Sequence, residues 1–585
     1  MSVHMGKTPP HQNCKKTSRQ KTPTFKPSAT TQFPECTNCL ASSEDGRYLG
    51  LGHSQGFSIW CASSLIAVAE WLHETVEITF IQITRMAETT YVLGTIDDMG
   101  VARVFAYHNE DIHLLCVLNI MENVNKRSIC LMYEMSEGGD YAAASISCNG
   151  AVWLEVYSFP SDVWQKELEM ALLQEQDSSG DVDLKWSPAS MVFKITPSKM
   201  PADGPLEDFF AHCLALDTHI SSRHQQEEQA SNADTGKIKA ASERRCTHHF
   251  LLPCGRFIGE SRAKPQSVGF PVALCVWWSG SQNLLQYLLQ KAPKKKSADV
   301  EPVPDELWPN ANEILCSAVS RSTRYVALGL DNGVVCVWDR QSGSPLSVVS
   351  VSAADSAFLR IQFVDNSPLS ADDSHSSFTE KVQILVLCKS GAIHTVTTGR
   401  ETQSCTMQLT DLLRTKHSGD LPTVVTSVQF LQNLLFVLQR NGKMFLLDVI
   451  NNTPVCLLVP LSTHPIASPC NPVYALNAKQ KTLFIKGLHV SAHDLMRSCS
   501  VPSPGESQSQ LLVFRFGESD VIKQYIISPR QQTPSYVTRE ETCDLYLQQR
   551  ALSLDERRKA QKQTWNQLKE TEVAVKRRHS RSTTS

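Results

Sequence analysis

Cys36-Thr37-Asn38-Cys39 holds two thiols at C-x-x-C spacing, which is half a zinc site or a dithiol redox pair. Zinc needs further ligands, and the chain has no second C-x-x-C. A thioredoxin-type pair needs a helix behind it, whereas Cys39-Leu40-Ala41 opens an apolar run that reads as a strand. Cys246, His248, His249 and Cys254 lie within nine positions and also suit a metal. A strand through Phe250-Leu251-Leu252 would send alternate members of that set to opposite faces. Asp97-Asp98 stands just before Gly100, where a carboxylate caps a turn more readily than it does acid–base work. No glycine-rich phosphate loop, G-x-S-x-G elbow or H-E-x-x-H is present. The sequence therefore predicts no catalytic residues, no cofactor and no metal.

With chemistry set aside, the question becomes what the chain builds. Its net charge of −3 argues against binding nucleic acid or membranes through bulk charge. The charge is uneven. Residues 1–34 carry six Lys/Arg and no Asp or Glu, and residues 550–585 carry ten against four, so the centre is acidic and both ends are basic. Lys294-Lys295-Lys296 and Lys576-Arg577-Arg578 have no interleaved aromatics, which disfavours nucleic acid. The odd count of 19 cysteines, many inside apolar runs, suggests reduced buried thiols in the cytoplasm. No run approaches the ~18 apolar residues of a membrane span, and no signal-peptide core opens the chain.

One pattern recurs: an apolar run, a small polar cluster with glycine, and a second apolar run. It appears as S-Q-G-F-S-I-W at 54–60, D-M-G-V-A-R-V-F at 98–105, N-G-A-V-W-L-E-V at 149–156 and W-W-S-G-S-Q-N-L-L at 277–285. It continues as D-N-G-V-V-C-V-W-D at 331–339, K-S-G-A-I-H-T-V at 389–396 and R-N-G-K-M-F-L-L-D at 440–448. The pivotal residues are Gly56, Gly100, Gly150, Gly280, Gly333, Gly391 and Gly442, spaced 44, 50, 130, 53, 58 and 51 apart. Asn-Gly and Asp-Gly favour tight hairpins, and a hairpin repeated at this period marks the blades of a β-propeller. One blade cannot bury both faces, but a closed ring of blades can. The expectation is an all-β, WD40-like propeller over residues 35–535. Seven blades fit the glycines. An eighth stays open, because 481–487 also suits a hairpin with Leu511–Phe516.

The long gap predicts a mobile insertion over 158–265, with strands at Met191–Ile195 and Phe250–Pro253 and its most mobile part at 221–245. Residues 1–34 read as a disordered basic lead. Residues 536–585 read as a tail, helical from Leu554 behind the Ser553/Glu556 capping spacing and disordered from 576. Trp565 and the cluster Lys576, Arg577 and Arg578 are the candidate partner-binding residues.

Several strings resemble the WD repeat-containing protein 93 family: G-F-S-I at 56–59, D-M-G at 98–100, S-E-G-G-D-Y-A-A at 136–143, W-L-E-V-Y at 153–157, F-L-L-P at 250–253 and D-N-G-V-V-C-V-W-D at 331–339. The resemblance runs over roughly residues 35–530. It implies a non-catalytic scaffold in the motile-cilium or flagellar axoneme, in a projection of the central apparatus, with other subunits of that apparatus as partners. Contact between the basic tail and the acidic microtubule surface would fit that role. A soluble cytosolic adaptor in signalling or trafficking is the alternative. Only Trp338-Asp339 keeps the Trp-Asp pair, so apolar packing rather than the regular WD hydrogen-bond network must hold most blades.

Overall fold

Each repeat folds into one antiparallel sheet of four strands, written a to d in chain order within a blade. The computed structural model describes residues 22–34, 36–119, 128–177, 185–197, 245–253, 271–289, 302–351, 357–364, 381–399, 402–409, 418–461, 464–489 and 509–527, together with 565, 566 and 569. Blade 1 comprises Cys39–Ser42, Tyr48–His53, Gly56–Cys61 and Ile66–Leu72; blade 2 comprises Ile78–Arg85, Thr90–Asp97, Ala102–His108 and Asp111–Val117. Blade 3 comprises Ile129–Met135, Tyr141–Cys148, Ala151–Ser158 and Ser190–Ile195; blade 4 comprises Cys246–Leu251, Ala273–Trp278, Asn283–Leu288 and Glu306–Pro309. Blade 5 runs from Ile314–Val319 to Ser344–Ser350, blade 6 from Phe358–Phe363 to Thr402–Gln408, and blade 7 from Pro422–Ser427 to Thr453–Leu458.

The ring has eight blades. The eighth consists of Tyr474–Asn477, Thr482–Leu488 and Ser509–Arg515, and its outer strand is Ala29–Gln32 from the far end of the chain. Its b and c strands are joined by a long connection rather than a glycine turn, so the glycine count stops at seven. Residues 22–34 are therefore not part of a disordered lead. They form a strap in which Thr24–Phe25 pairs in parallel with the outer strand of blade 7, and Ala29–Gln32 completes blade 8.

The a strands of blades 8, 1, 2 and 3 contact one another in turn, as do those of blades 5, 6 and 7, which places them around the central channel. The b and c strands lie between neighbours on both faces, so Tyr325–Leu330 and Val334–Asp339 are buried at every position. Packing follows the blade interfaces. Phe57 and Ile59 of blade 1 meet Ile81, Leu93 and Phe105 of blade 2, and Leu49 and Leu51 meet Phe484, Leu511 and Val513 of blade 8. In blades 4 and 5, Trp308 stacks on Trp338 with ring centroids 5.6 Å apart. A β-bulge recurs near the start of the a strand in blades 2, 3, 5, 6 and 7; such an extra residue bends the strand toward its neighbours.

The expected insertion over 158–265 is divided. Helix α1, Ser161–Asp177, lies between the c and d strands of blade 3, and the d strand itself, Ser190–Ile195, follows it. The expected strand at Phe250–Pro253 is the end of Cys246–Leu251, the a strand of blade 4. Trp164, Leu168 and Ala171 form the buried stripe of α1, at the i, i+4, i+7 spacing of an amphipathic helix. The Trp164 indole N–H donates to Ser187 O at 2.7 Å. Residues 198–244 lie outside the described residues, and with them nearly all of the segment 221–245 expected to be mobile.

Candidate interaction surfaces

Alternating strand direction gives the ring two rims. The a–b and c–d connections share one, and the b–c and d–a connections share the other. All seven pivotal glycines sit in b–c turns at positive φ. Gly100 shows why the residue type matters. Its φ is +74°, and an added Cβ would lie 2.4 Å from Ile129 Cγ2 of blade 3. In the same turn, Asp97 Oδ1 accepts the Val101 N–H at 2.7 Å, and Asp97 Oδ2 pairs with the Arg103 guanidinium at 2.6 Å. Asp97 is thus a turn cap with its own counter-ion. Around this turn the surface is apolar. Met99 and Ile129 are exposed, and Leu131 and Met132 follow along the blade 3 a strand, Leu131 being 49% exposed.

The a–b rim carries a latch that no recurring glycine marks. Ser43, Ser136 and Ser320 end the a strands of blades 1, 3 and 5, and each hydroxyl accepts the backbone N–H of the tyrosine five residues on: Tyr48, Tyr141 and Tyr325, at 3.0–3.1 Å. Its signal in the sequence is S-x-x-x-x-Y, present at all three places. Beside the first latch, the Tyr91 hydroxyl donates to Asp45, and Tyr48 packs edge-on against Tyr91 and Tyr107. The same rim is acidic over blades 1 to 3. Burial, then the nearby Glu137 and Asp45 charges, push Glu44 up to about 7. Burial and the Asp162 charge push Asp140 up to about 6, against a hydrogen bond from Ser161.

His248 and His249 face opposite interfaces. His248 is fully buried, with Nε2 3.5 Å from Glu134 Oε2 of blade 3, and neither ring nitrogen makes a hydrogen bond. His249 Nε2 lies 2.7 Å from Ser317 Oγ of blade 5, which also accepts the Trp277 indole N–H. Burial holds His248 down at about 3 and His249 at about 4. Among the described residues no three His, Cys, Asp or Glu side chains are placed to share a metal ion. Cys254 lies outside those residues.

Glu134, whose side chain keeps 35% exposure, is pushed up to about 7 by burial. A carboxyl that binds its proton more tightly in the folded state contributes stability below its unfolded value of ~4.3, and that contribution is lost as pH rises through 7. Glu134→Gln should therefore match the parent near pH 4.5 and melt higher than the parent at pH 8. His248 and His249 titrate in both proteins and drop out of the comparison. Equal melting curves at pH 8 would refute the assignment.

The thiols of the C-x-x-C pair are free and dissimilar. Cys36 is exposed, while Cys39 begins the first a strand, where burial pushes its thiol up to about 12. A different cysteine is activated. Burial raises the Cys61 thiol, but hydrogen bonds from the side chains and backbones of Ser63 and Ser64 outweigh it and leave the group lowered to about 7. At pH 7.5 Cys61 should react with iodoacetamide at least ~10-fold faster than Cys39, since the thiolate is the nucleophile. Peptide mapping after a short pulse tests this; labelling at Cys39 with Cys61 spared would contradict it.

Of the tail candidates, Trp565 is helical and half-buried, and Lys576, Arg577 and Arg578 lie outside the described residues. No helix among the described residues is long and apolar enough to cross a membrane.

A closed ring of eight four-stranded blades, sealed by an N-terminal strand, defines a β-propeller. The chain belongs to the WD repeat-containing protein 93 family, whose model matches residues 37–335, just over half of its length. Among solved structures it is similar to Saccharomyces cerevisiae Sqt1, with a TM-score of 0.44 and 10% identity over 85% of this chain and 99% of that one. It is also similar to Chaetomium thermophilum Sqt1 bound to the N-terminus of ribosomal protein L10, with a TM-score of 0.44 and 12% identity over 84% of this chain and 100% of that one. The Dos1 propeller matches with a TM-score of 0.44 and 10% identity over 83% of this chain and 95% of that one.

Proposed function

We propose that this chain is a non-catalytic protein-binding scaffold and a structural subunit of the motile-cilium axoneme, within a projection of the central apparatus. The observation that carries the reading is the family match across blades 1 to 5, taken with the axonemal role that the sequence resemblance implies. The architecture agrees with it. A closed ring presents a broad surface whose shape is fixed by interlocked blades, and its b–c rim offers Met99, Ile129, Leu131 and Met132 as apolar anchors of the kind that dominate binding energy. Detergent fractionation of sperm flagella is the test. A subunit of the axoneme stays with the insoluble microtubules, and a tagged copy in multiciliated cells marks the axoneme. Complete release by mild detergent, with diffuse cytosolic signal, would refute the axonemal reading and favour a soluble adaptor.

A further inference from the structure

Where blade 2 follows blade 1, blade 3 follows blade 2, and blade 6 follows blade 5, the a strand of the later blade lies against the a and b strands of the earlier one. Blade 4 departs from this. Its a strand lies against the c strand of blade 3, one step further from the channel. The blade 3 a strand is left less covered on that side. Met132 and Glu134 face it, because Tyr133 between them packs into the layer with blade 2. Read inward from the b–c rim, this strand presents Ile129, Leu131 and Met132, all apolar and exposed, and then the half-buried carboxylate of Glu134. Two residues of strand, about 7 Å, separate Met132 from Glu134, comparable to an extended lysine or arginine stem. The strand is held in place from behind. Gln82 of blade 2 donates Nε2–H to Met135 O at 3.1 Å and accepts the Met135 N–H at 2.9 Å.

A second, independent observation comes from the other wall of the seam. His248 of blade 4 is wholly buried and aims Nε2 at Glu134 Oε2 from 3.5 Å, and neither ring nitrogen makes a hydrogen bond. Burial keeps the ring neutral, so one nitrogen carries a proton that a charged carboxylate can accept. Among the described residues no lysine or arginine pairs with Glu134. Arg340, which shares Cys275 with Glu134 as an electrostatic neighbour, donates instead to the Leu252 and Thr323 carbonyls. A carboxylate at the end of an apolar entry, with a buried donor aimed at its far side, complements a long side chain that ends in a cation.

We propose that the seam between blades 3 and 4 is a binding site for a lysine or arginine side chain of a protein partner that enters the channel from the b–c rim. The stem lies along Leu131 and Met132, the charged end meets Glu134, and His248 donates to the same carboxylate and positions it. This rests on the protein-binding reading above and not on the axonemal one.

The test uses the full chain at pH 8 and two peptides that differ in one charge, acetyl-Leu-Leu-Arg-Leu-amide and its citrulline counterpart. Calorimetric titration of the parent should show the arginine peptide binding at least ~10-fold more tightly, a factor within reach of one close charge pair. Glu134→Gln, which should melt no lower than the parent at that pH, should bind both peptides alike. Glu44→Gln/Glu137→Gln, on the a–b rim, should keep the full preference, which separates the site from the general acidity of the ring. His248→Leu should lose several-fold of the preference, and His248→Gln, which keeps an N–H, should regain it. No binding of either peptide at millimolar concentration, or equal affinities in the parent, would overturn the proposal. So would a preference that survives in Glu134→Gln, vanishes in the rim variant, or is unchanged in His248→Leu. Flagellar fractionation is independent of every one of these results, so the site and the axonemal reading fail separately.

Discussion

Deletion of residues 22–34 is expected to open the ring and cost about 5 kcal/mol or more. The strap acts at three places. Its Ala29–Gln32 strand is hydrogen-bonded to Ser509–Arg515, with Ser28 N–H on Val513 O at 2.7 Å and Phe33 N–H on Ser509 O at 3.1 Å. Phe33 is 2% exposed in the layer between blades 8 and 1, against Trp60, and burying such a side chain contributes roughly 2–3 kcal/mol. Phe25 packs on Phe514 and Phe516, while Leu457 and Val459 of blade 7 donate to Pro23 O and Phe25 O. Ordering about a dozen residues offsets part of this gain. The remainder is concentrated at the one seam where the two ends of the ring meet, which Asn477, Gln480 and Lys486 also bridge to the Gly46 and Thr37 carbonyls. Without the strap, Ser509–Arg515 becomes an exposed edge strand and should recruit other chains. Calorimetry with size-exclusion chromatography checks this. A deletion that stays monomeric and melts like the parent would show that the ring closes without its strap.

The strap also shows where the sequence stopped being informative. The pairing of its Ala29–Gln32 strand joins residues 478 to 484 positions apart, and T-F-K-P-S-A-T-T-Q has neither alternation nor a turn signal. Whether it pairs is decided by the vacant edge of blade 8, which no local pattern encodes. The turn glycines were legible for the opposite reason: positive φ is a local demand that few residues meet, so Gly56 and Gly333 reveal their hairpins without knowledge of the rest. The eighth blade was half legible, because its strands are apolar but its b–c connection lacks the marker. Helix α1 was legible in principle from Trp164, Leu168 and Ala171, yet their period of 3.6 is easily passed over in a chain dominated by period two. The Glu134–His248 contact was not legible at all, since blades 3 and 4 bring those residues together across 114 positions.

Gly94→Ala should cost about 3 kcal/mol, although the residue has ordinary backbone geometry and alanine adds one methyl. Gly94 lies in the b strand of blade 2, in register with Val104 and Gln82, where strand propensity alone would favour alanine over glycine. The obstacle is the next blade. An added Cβ would sit 2.0 Å from Tyr133 Cε1 and 2.7 Å from Cζ, far inside van der Waals contact. Tyr133 cannot step aside: it is 2% exposed and packed with Val92, Val104, Cys130 and Ala144 in the layer between blades 2 and 3. Either the ring tilts off its rotamer or the two blades separate, and both disturb a layer that continues to Trp164 of α1. The glycine is therefore a notch for the tyrosine, and the two substitutions must be coupled. Tyr133→Ala alone should destabilise by roughly 3–4 kcal/mol through the cavity it leaves. Gly94→Ala placed in that background should cost less than about 1 kcal/mol, because its clash is gone. A double-mutant cycle by chemical denaturation measures the difference. Additive losses would mean that the ring accommodates Cβ94 by some other movement and that Tyr133 is not what requires glycine there.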